Sequence, residues 1–497
     1  MVTSADEQGP ATATSAGPAA LAATSLRNSF AFGGALIASW VLVLVGRLII
    51  PRVLSNADYG TVSLLESTAV LGISVVSLGF DTHIRKAVTE EPAHARRIMQ
   101  PVRRMQIGLG AVVIAVLAAG FLVIGEAPRK ALIVALFGIA QLSLTVGQNA
   151  NAYLHTLHRV RETTISTVAV KIAWLCVLIG VAATDHRLYA LPVAAAVSEI
   201  ARARYLERRA THQFQPDRTA RLREVVPVLK ESLPYYLNSL NITANTLALP
   251  VLIGMIAGEG DVALYASASM LMTMPQMFLP LIGPVLVPAL VRERANGDGT
   301  VWVRTRDLMT LLLPLLTVVA GVIAIFGELI IRLAVGSRYA DAAAPLAFMA
   351  LGLPATFGTV LLSTAMIVVG RSWQTTRINW VTMVGLVTTG ALLLSLIGRG
   401  NPGAPAAAGA LVLIVFEWIT VAWMCAVSPV GVMTRRCAFH VLIAAAGWAV
   451  AEAGRWFEGQ LLVTRLIAAG LLGVVAVRDL PRLVRTVRGL LKRPAEA

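Results

Sequence analysis

The side chains able to do chemistry in this sequence stand singly inside long apolar runs. Glu66 and Lys171 interrupt two such runs, Arg47 lies near the end of a third, and Arg85 closes a segment rich in serine. The densest polar pattern is Glu231, Tyr235, Asn238, Asn241 and Asn245, spaced by 4, 3, 3 and 4 residues. That spacing puts all five on one helix face. Carboxamides both donate and accept hydrogen bonds, so the stripe suits a hydroxyl-rich ligand or, equally, a packed neighbouring helix. Gln276 follows Tyr265 and Ser269 at similar spacing on the next run. Lys171 can neutralise a phosphate or pair with Glu199. Arg47 reads as an interface anchor or a cavity lining. Glu66, with Ser63, Ser74 and Ser77 nearby, reads as a vestibule carboxylate or a cavity group.

Several chemistries find no residues. There is no Gly-Lys pair, hence no phosphate loop, and no HExxH, CxxC or GxSxG pattern. His155 and His158 are three apart with no third ligand, which reads as a solvated pair. Three cysteines make no disulfide framework. We expect no catalytic residue, no metal and no cofactor.

The elements that position these residues follow from composition. Of 497 residues, 57% are hydrophobic and 14% charged, and mean hydropathy is +0.73. Soluble domains carry about 45–50% apolar and about 25% charged residues; this chain has too little polar surface for water and reads as an all-α integral membrane protein. A spanning helix needs about 20 mostly apolar residues. Fourteen runs qualify: 29–50, 61–80, 105–124, 131–151, 163–182, 188–206, 232–257, 262–290, 308–331, 342–369, 376–397, 404–427, 438–456 and 460–477. The eighth carries Pro275, Pro280, Pro284 and Pro288, which predict a bent or partly unwound helix. An ionised side chain at mid-depth costs about 2.5–3.5 kcal/mol, which is why Glu66 and Lys171 stand out.

With the N-terminus inside, the segments between spans carry 31 Lys and Arg inside against 10 outside. Cytoplasmic loops retain such cations, so both termini are expected in the cytoplasm of a multi-pass cytoplasmic-membrane protein. The net charge of +15 then faces anionic membrane lipids and implies no nucleic acid.

A weak internal repeat divides the spans. Aligning Tyr59 with Tyr265 gives an offset of 206 residues and six intervening spans, so the halves share one orientation. Parallel repeats place a cavity on an axis along the membrane normal. The expected organisation is a disordered cytoplasmic tail (1–26), a lobe of six helices (27–206), a basic cytoplasmic linker (207–225) and a second lobe of six (226–427). Two further helices and a basic tail (428–497) follow. The lobes form a V around a central cavity.

The segment Arg47-Leu-Ile-Ile-Pro-Arg-Val-Leu-Ser-Asn-Ala-Asp-Tyr-Gly60 resembles the arginine, leucine, acidic residue, Tyr-Gly pattern of polysaccharide flippases. Leu78-Gly-Phe-Asp-Thr-His-Ile-Arg85 is similar to their ending of the second helix, Gly336-Ser-Arg-Tyr339 to their turn before the tenth, and Gly403-Ala-Pro-Ala-Ala-Ala-Gly409 to their entry into the twelfth. The resemblance, over nearly all of 27–427, is to the Wzx-like oligosaccharide flippases of the MOP superfamily, which also holds MATE drug exporters and lipid II flippases. It implies a non-enzymatic transporter that moves a polyprenyl-diphosphate-linked glycan to the outer leaflet for cell-surface polysaccharide. Polysaccharide polymerase or glycosyltransferases are the implied protein partners. A cation-coupled drug exporter and a lipid II flippase are the alternatives. On the implied path Arg85 captures the diphosphate, Lys171 holds it midway and the amide stripe binds sugar.

Overall fold

The computed structural model describes residues 38–80, 92–156, 160–213, 225–295, 297–398 and 401–428, with the isolated positions 84, 446 and 449. Among these residues every extended regular element is a helix. The first half comprises α1 (38–53), α2 (Asn56–Ser77), α3 (Pro92–Val123), α4 (Pro128–Thr156), α5 (Val160–Ala182) and α6 (Ala190–Gln213). The second comprises α7 (Val225–Ile256), α8 (Glu259–Gln276), α9 (Leu279–Arg294), α10 (Asp298–Ile325), α11 (Gly327–Ala334), α12 (Ala343–Val368), α13 (Ser372–Ile397) and α14 (Ala404–Val427).

These helices cover the first twelve expected spans. The thirteenth and fourteenth, like the N-terminal tail and linker residues 214–224, lie outside the described residues apart from positions 446 and 449. Nine described helices are long and apolar enough to cross a membrane by length and composition. The shortfall against twelve has physical causes. Only 16 residues of α1 are described, and α6 carries Glu199, Arg202 and Arg204 in mid-course. The proline-rich eighth span divides at Met277 and Phe278 into α8 and α9, the interruption its prolines predict.

The turn between α1 and α2 begins α2 with a reciprocal cap. Ser55 Oγ accepts the Asp58 N–H at 3.1 Å and donates to Asp58 Oδ2 at 2.7 Å, which satisfies an otherwise orphaned donor. At its far end α2 stops on two left-handed residues, Leu78 (φ 50) and Gly79 (φ 69). Gln106 Nε2 donates to the Val76 and Ser77 carbonyls at 3.4 and 3.3 Å, and Asn149 Nδ2 donates to Gln106 Oε1 at 2.6 Å. Glycine is needed at 79 because a Cβ there would stand 2.8 Å from the Tyr236 nitrogen and 2.9 Å from the Ser232 oxygen of α7.

The α1–α2 and α7–α8 turns lie at one end of the bundle, here called the hairpin end. There one apolar core runs through both halves, from Ile50, Tyr59, Leu65 and Phe137 to Leu249, Ile253, Tyr265, Ile325 and Leu346. At the opposite end it divides. One core packs Leu290, Trp302, Met309, Leu362 and Met424 within the second half. The other packs Phe80, Ile98, Tyr153 and Leu206 of the first half, with Val225, Val228 and the partly buried Leu229 of α7 joining it. The halves thus share one core at the hairpin end and have separate cores at the other, where α7 still bridges them through Val225, Val228, Leu229 and the close approach of Gly79.

Helix boundaries also correct the repeat. α1 ends at 53 and α7 at 256, while α2 starts at 56 and α8 at 259, so the hairpins correspond at an offset of 203, not 206. The two tyrosines that suggested 206 occupy different helical positions, fourth in α2 and seventh in α8. Asp58 and Asp261, each third in its helix, are the true equivalents.

Candidate functional site

Arg47 and Glu66 meet across the α1–α2 hairpin. Arg47 Nη1 donates to Glu66 Oε2 at 2.9 Å and Nη2 to Oε1 at 2.5 Å, the two-pronged geometry that suits a planar guanidinium to carboxylates and phosphates. The pair is not sealed: the side chains remain 36% and 21% exposed. Glu66 lies on the face of α2 that carries Ser63 and Tyr59. Seven residues separate Glu66 from Tyr59, about 10 Å along the helix. The Tyr59 ring sits edge-on to Tyr339 of the second half, centroids 5.9 Å apart.

Around Tyr59 the halves are clasped by polar bonds. Arg338 Nη1 and Nη2 donate to the Leu54 and Arg52 carbonyls at 3.0 and 3.2 Å, and Tyr339 Oη donates to the Pro51 carbonyl at 3.2 Å. In return Arg52 Nη2 donates to the Leu333 carbonyl at 2.6 Å and Asn56 Nδ2 to the Arg338 carbonyl at 3.3 Å. Glu259, first residue of α8, accepts from Thr61 at 2.6 Å and pairs with Lys130 at 2.6 Å. Gly60 makes this approach possible, since a Cβ there would overlap the Glu259 backbone carbonyl. Single-sequence reading missed this clasp. Its partners lie 129 to 288 positions apart, and no periodicity links them. The one available signal was the Gly336-Ser-Arg-Tyr339 turn.

Lys171 lies in mid-α5, its Nζ 3.2 Å from Glu199 Oε1, while Arg202 Nη1 stands 3.4 Å from Oε2 of the same carboxylate. Two cations thus share one anion within the first half. On the α7 stripe, Asn241 is buried and its Nδ2 donates to the Asn379 carbonyl of α13 at 2.9 Å; Trp380 Nε1 bonds back to the Leu237 carbonyl at 3.2 Å. Asn241 therefore serves helix packing here. Asn238 and Asn245 are half-buried, as is Gln276 at the end of α8. The Glu231 and Tyr235 side chains, and Arg85 altogether, lie outside the described residues.

Chemically, the partly exposed Arg47 guanidinium presents a two-pronged anion contact, made in this structure to Glu66. Among the described residues no group of three or more His, Cys, Asp or Glu is placed to hold a metal.

Comparison with known proteins sharpens this. A family model described as polysaccharide biosynthesis protein matches residues 25–293. The structure is similar to that of the lipid II flippase MurJ in an inward closed conformation, with TM-score 0.70 and 11% identity over 91% of this chain and 99% of that one. It is similar to a MATE multidrug resistance transporter of the MOP superfamily in an inward-facing conformation (0.55, 13%, 77% and 97%). A MATE transporter from Vibrio cholerae gives 0.52 and 12% over 83% and 98%. At such identities these likenesses establish the fold alone. No curated protein matches the sequence.

Proposed function

The chain belongs to the polysaccharide biosynthesis protein family, and from that premise we propose that it flips a polyprenyl-diphosphate-linked oligosaccharide across the cytoplasmic membrane. The observation that carries this reading is the Arg47–Glu66 pair, a partly exposed two-pronged contact inside a multi-pass helical bundle. A diphosphate brings about two negative charges into a medium where each is costly unpaired. Its oxygens present the same fork-shaped acceptor as the Glu66 carboxylate, so Arg47 can pass from one to the other without being left bare.

The halves share one core at the hairpin end and have separate cores, bridged by α7, at the other. With the hairpin end taken as outward, in keeping with the distribution of basic residues, the path begins between the halves at the cytoplasmic end. The sugar–diphosphate head enters there past Arg85 while the polyprenyl tail stays in lipid. Sugars then meet the half-buried amides Asn238 and Asn245 and the end of α8 at Gln276. Lys171 joins the path only by leaving Glu199, so we assign the diphosphate first to Arg47. An inside-negative potential, worth about 2.3 kcal/mol per charge per 100 mV, favours outward movement of the anionic head. Glycosyltransferases that load the lipid and a polymerase that consumes it are the partners this role requires.

The test is deletion of the gene followed by lipid extraction. Build-up of lipid-linked oligosaccharide in the cell supports the reading. Raised drug sensitivity without build-up would replace it with a drug exporter, and loss of synthesis without build-up with a scaffold for the synthase.

A further inference from the structure

At the hairpin end the first half contains a cavity of about 440 Å3 that the transport path does not use. Three turns wall it: residues 53–58 between α1 and α2, the start of α4, and 185–189 between α5 and α6. They supply two carboxylates (Asp58, Asp185), two guanidinium groups (Arg129, Arg187) and two rings, His186 and Tyr189, in edge contact at 6.5 Å. The side chains of Arg129, Asp185 and Arg187 have no ion-pair or hydrogen-bond partner among the described residues.

The second half shows that the fold does not demand this opening. There Asp261, equivalent to Asp58, accepts the Gly403 N–H at 2.9 Å, and Gly403 packs on Asp341 and Leu264 at the entry to α14. The corresponding entry, that of α6, stands back from Asp58, which bonds Ser55 of its own turn instead. A contact closed in one half is an open, charged cavity in the other.

The lining indicates what fits. Two cations balance two anions, so a diphosphate or other polyanion gains no net attraction. Interleaved donors, acceptors and ring edges match a neutral group with many hydroxyls. The volume lies within the range of about 300–1,000 Å3 usual for small-ligand sites. Resting on the flippase reading, we infer that this cavity is a subsite for sugar residues of the glycan at the face where it leaves the protein. The clasp sits on the same turn: Arg338 holds the Arg52 and Leu54 carbonyls while residues 53–58 line the cavity. A sugar bound there touches the segment that must let go for the glycan to pass.

The experiment uses the full chain in proteoliposomes, with Cys176, Cys425 and Cys437 replaced by serine and a reporter thiol at Leu188→Cys, an apolar position in the cavity wall. A membrane-impermeant maleimide reads its reactivity. The probe is the soluble glycan freed by mild acid from the cell's own lipid-linked oligosaccharide, and inorganic pyrophosphate is the control. Glycan should slow labelling about tenfold and pyrophosphate should not. Asp185→Asn combined with Arg187→Gln should shift the protecting concentration upward at least about tenfold, the usual size of lost charged hydrogen bonds. No protection by glycan, protection by pyrophosphate alone, or a reporter reached only from the cytoplasmic side overturns the inference. Failure of the flippase reading shows separately, as absence of lipid-linked oligosaccharide in the deletion strain.

Discussion

The α1–α2 and α7–α8 hairpins share their boundaries at an offset of 203 but not their chemistry. Where the first places Arg47 and Glu66, the second has Pro250 and Ser269. Where the first presents Asp58 to a cavity, the second locks Asp261 onto Gly403. Apart from Glu259, which binds Thr61 and Lys130 of the first half, the second hairpin packs into its own half through Asn241, Trp380 and Asp261. The first turns its polar groups toward the other half and toward open space. A duplicated scaffold thus pairs a hairpin held mainly for packing with one that carries a charged, partly exposed contact, the one to which we assign the diphosphate.

The largest expected effect comes from removing that group. Arg47→Leu leaves Glu66 without its partner and the diphosphate without its guanidinium. Export at matched protein levels should fall at least about tenfold, the scale of a lost charged hydrogen bond. The exchanged pair Arg47→Glu with Glu66→Arg should restore protein level but not export. Ser269→Ala, at the half-buried position equivalent to Glu66, removes no charge and should leave export within about twofold. Equal losses in the two hairpins would end the contrast.

A smaller effect is expected at the clasp. Arg338→Ala removes both bonds to the Arg52 and Leu54 carbonyls. A thiol introduced at Ser63, buried below Tyr59, should then react about tenfold faster with a hydrophilic maleimide, given about 1 kcal/mol or more per bond. Arg332→Ala is the control, because among the described residues Arg332 pairs only with Glu328 on its own helix and should leave the rate unchanged.

How far the sequence carried these assignments depended on distance along the chain. Apolar runs are local quantities, and α2 through α7 and α12 through α14 fall where they indicate. Proline chemistry is also local, and the eighth span breaks beside Pro275. Arg47, Glu66 and Lys171 stood out because isolated charges in apolar runs are costly. Their partners were less legible. Glu199 was one of two readings for Lys171, whereas the pairing of Arg47 with Glu66 needs the hairpin geometry that brings residues 19 apart into contact. Asn241 shows the ambiguity of periodicity: a polar helix face looks the same whether it meets ligand or a neighbour such as α13. The repeat offset failed by three residues because two tyrosines were matched by type, while Asp58 and Asp261 carried the register.

The smallest expected effect separates those two aspartates. Each sits in the first turn of its helix, where a negative charge is worth about 0.3–1 kcal/mol. Replacing either by asparagine removes that share alike, and asparagine caps a helix about as well as aspartate. Among the described residues Asp58 otherwise bonds only Ser55 within its own turn. Asp261 also accepts the Gly403 N–H at the start of α14, so its charge serves a second helix N-terminus in a half-buried place. Asp261→Asn should therefore lower the unfolding temperature more than Asp58→Asn. With about 2–4 °C per kcal/mol already at 150–250 residues, the gap should be about 1–2 °C, measured on the purified protein in one detergent. Equal shifts would mean that the Asp261–Gly403 bond adds nothing to stability. The open cavity beside Asp58 would then be no departure from its counterpart in energy, only in shape.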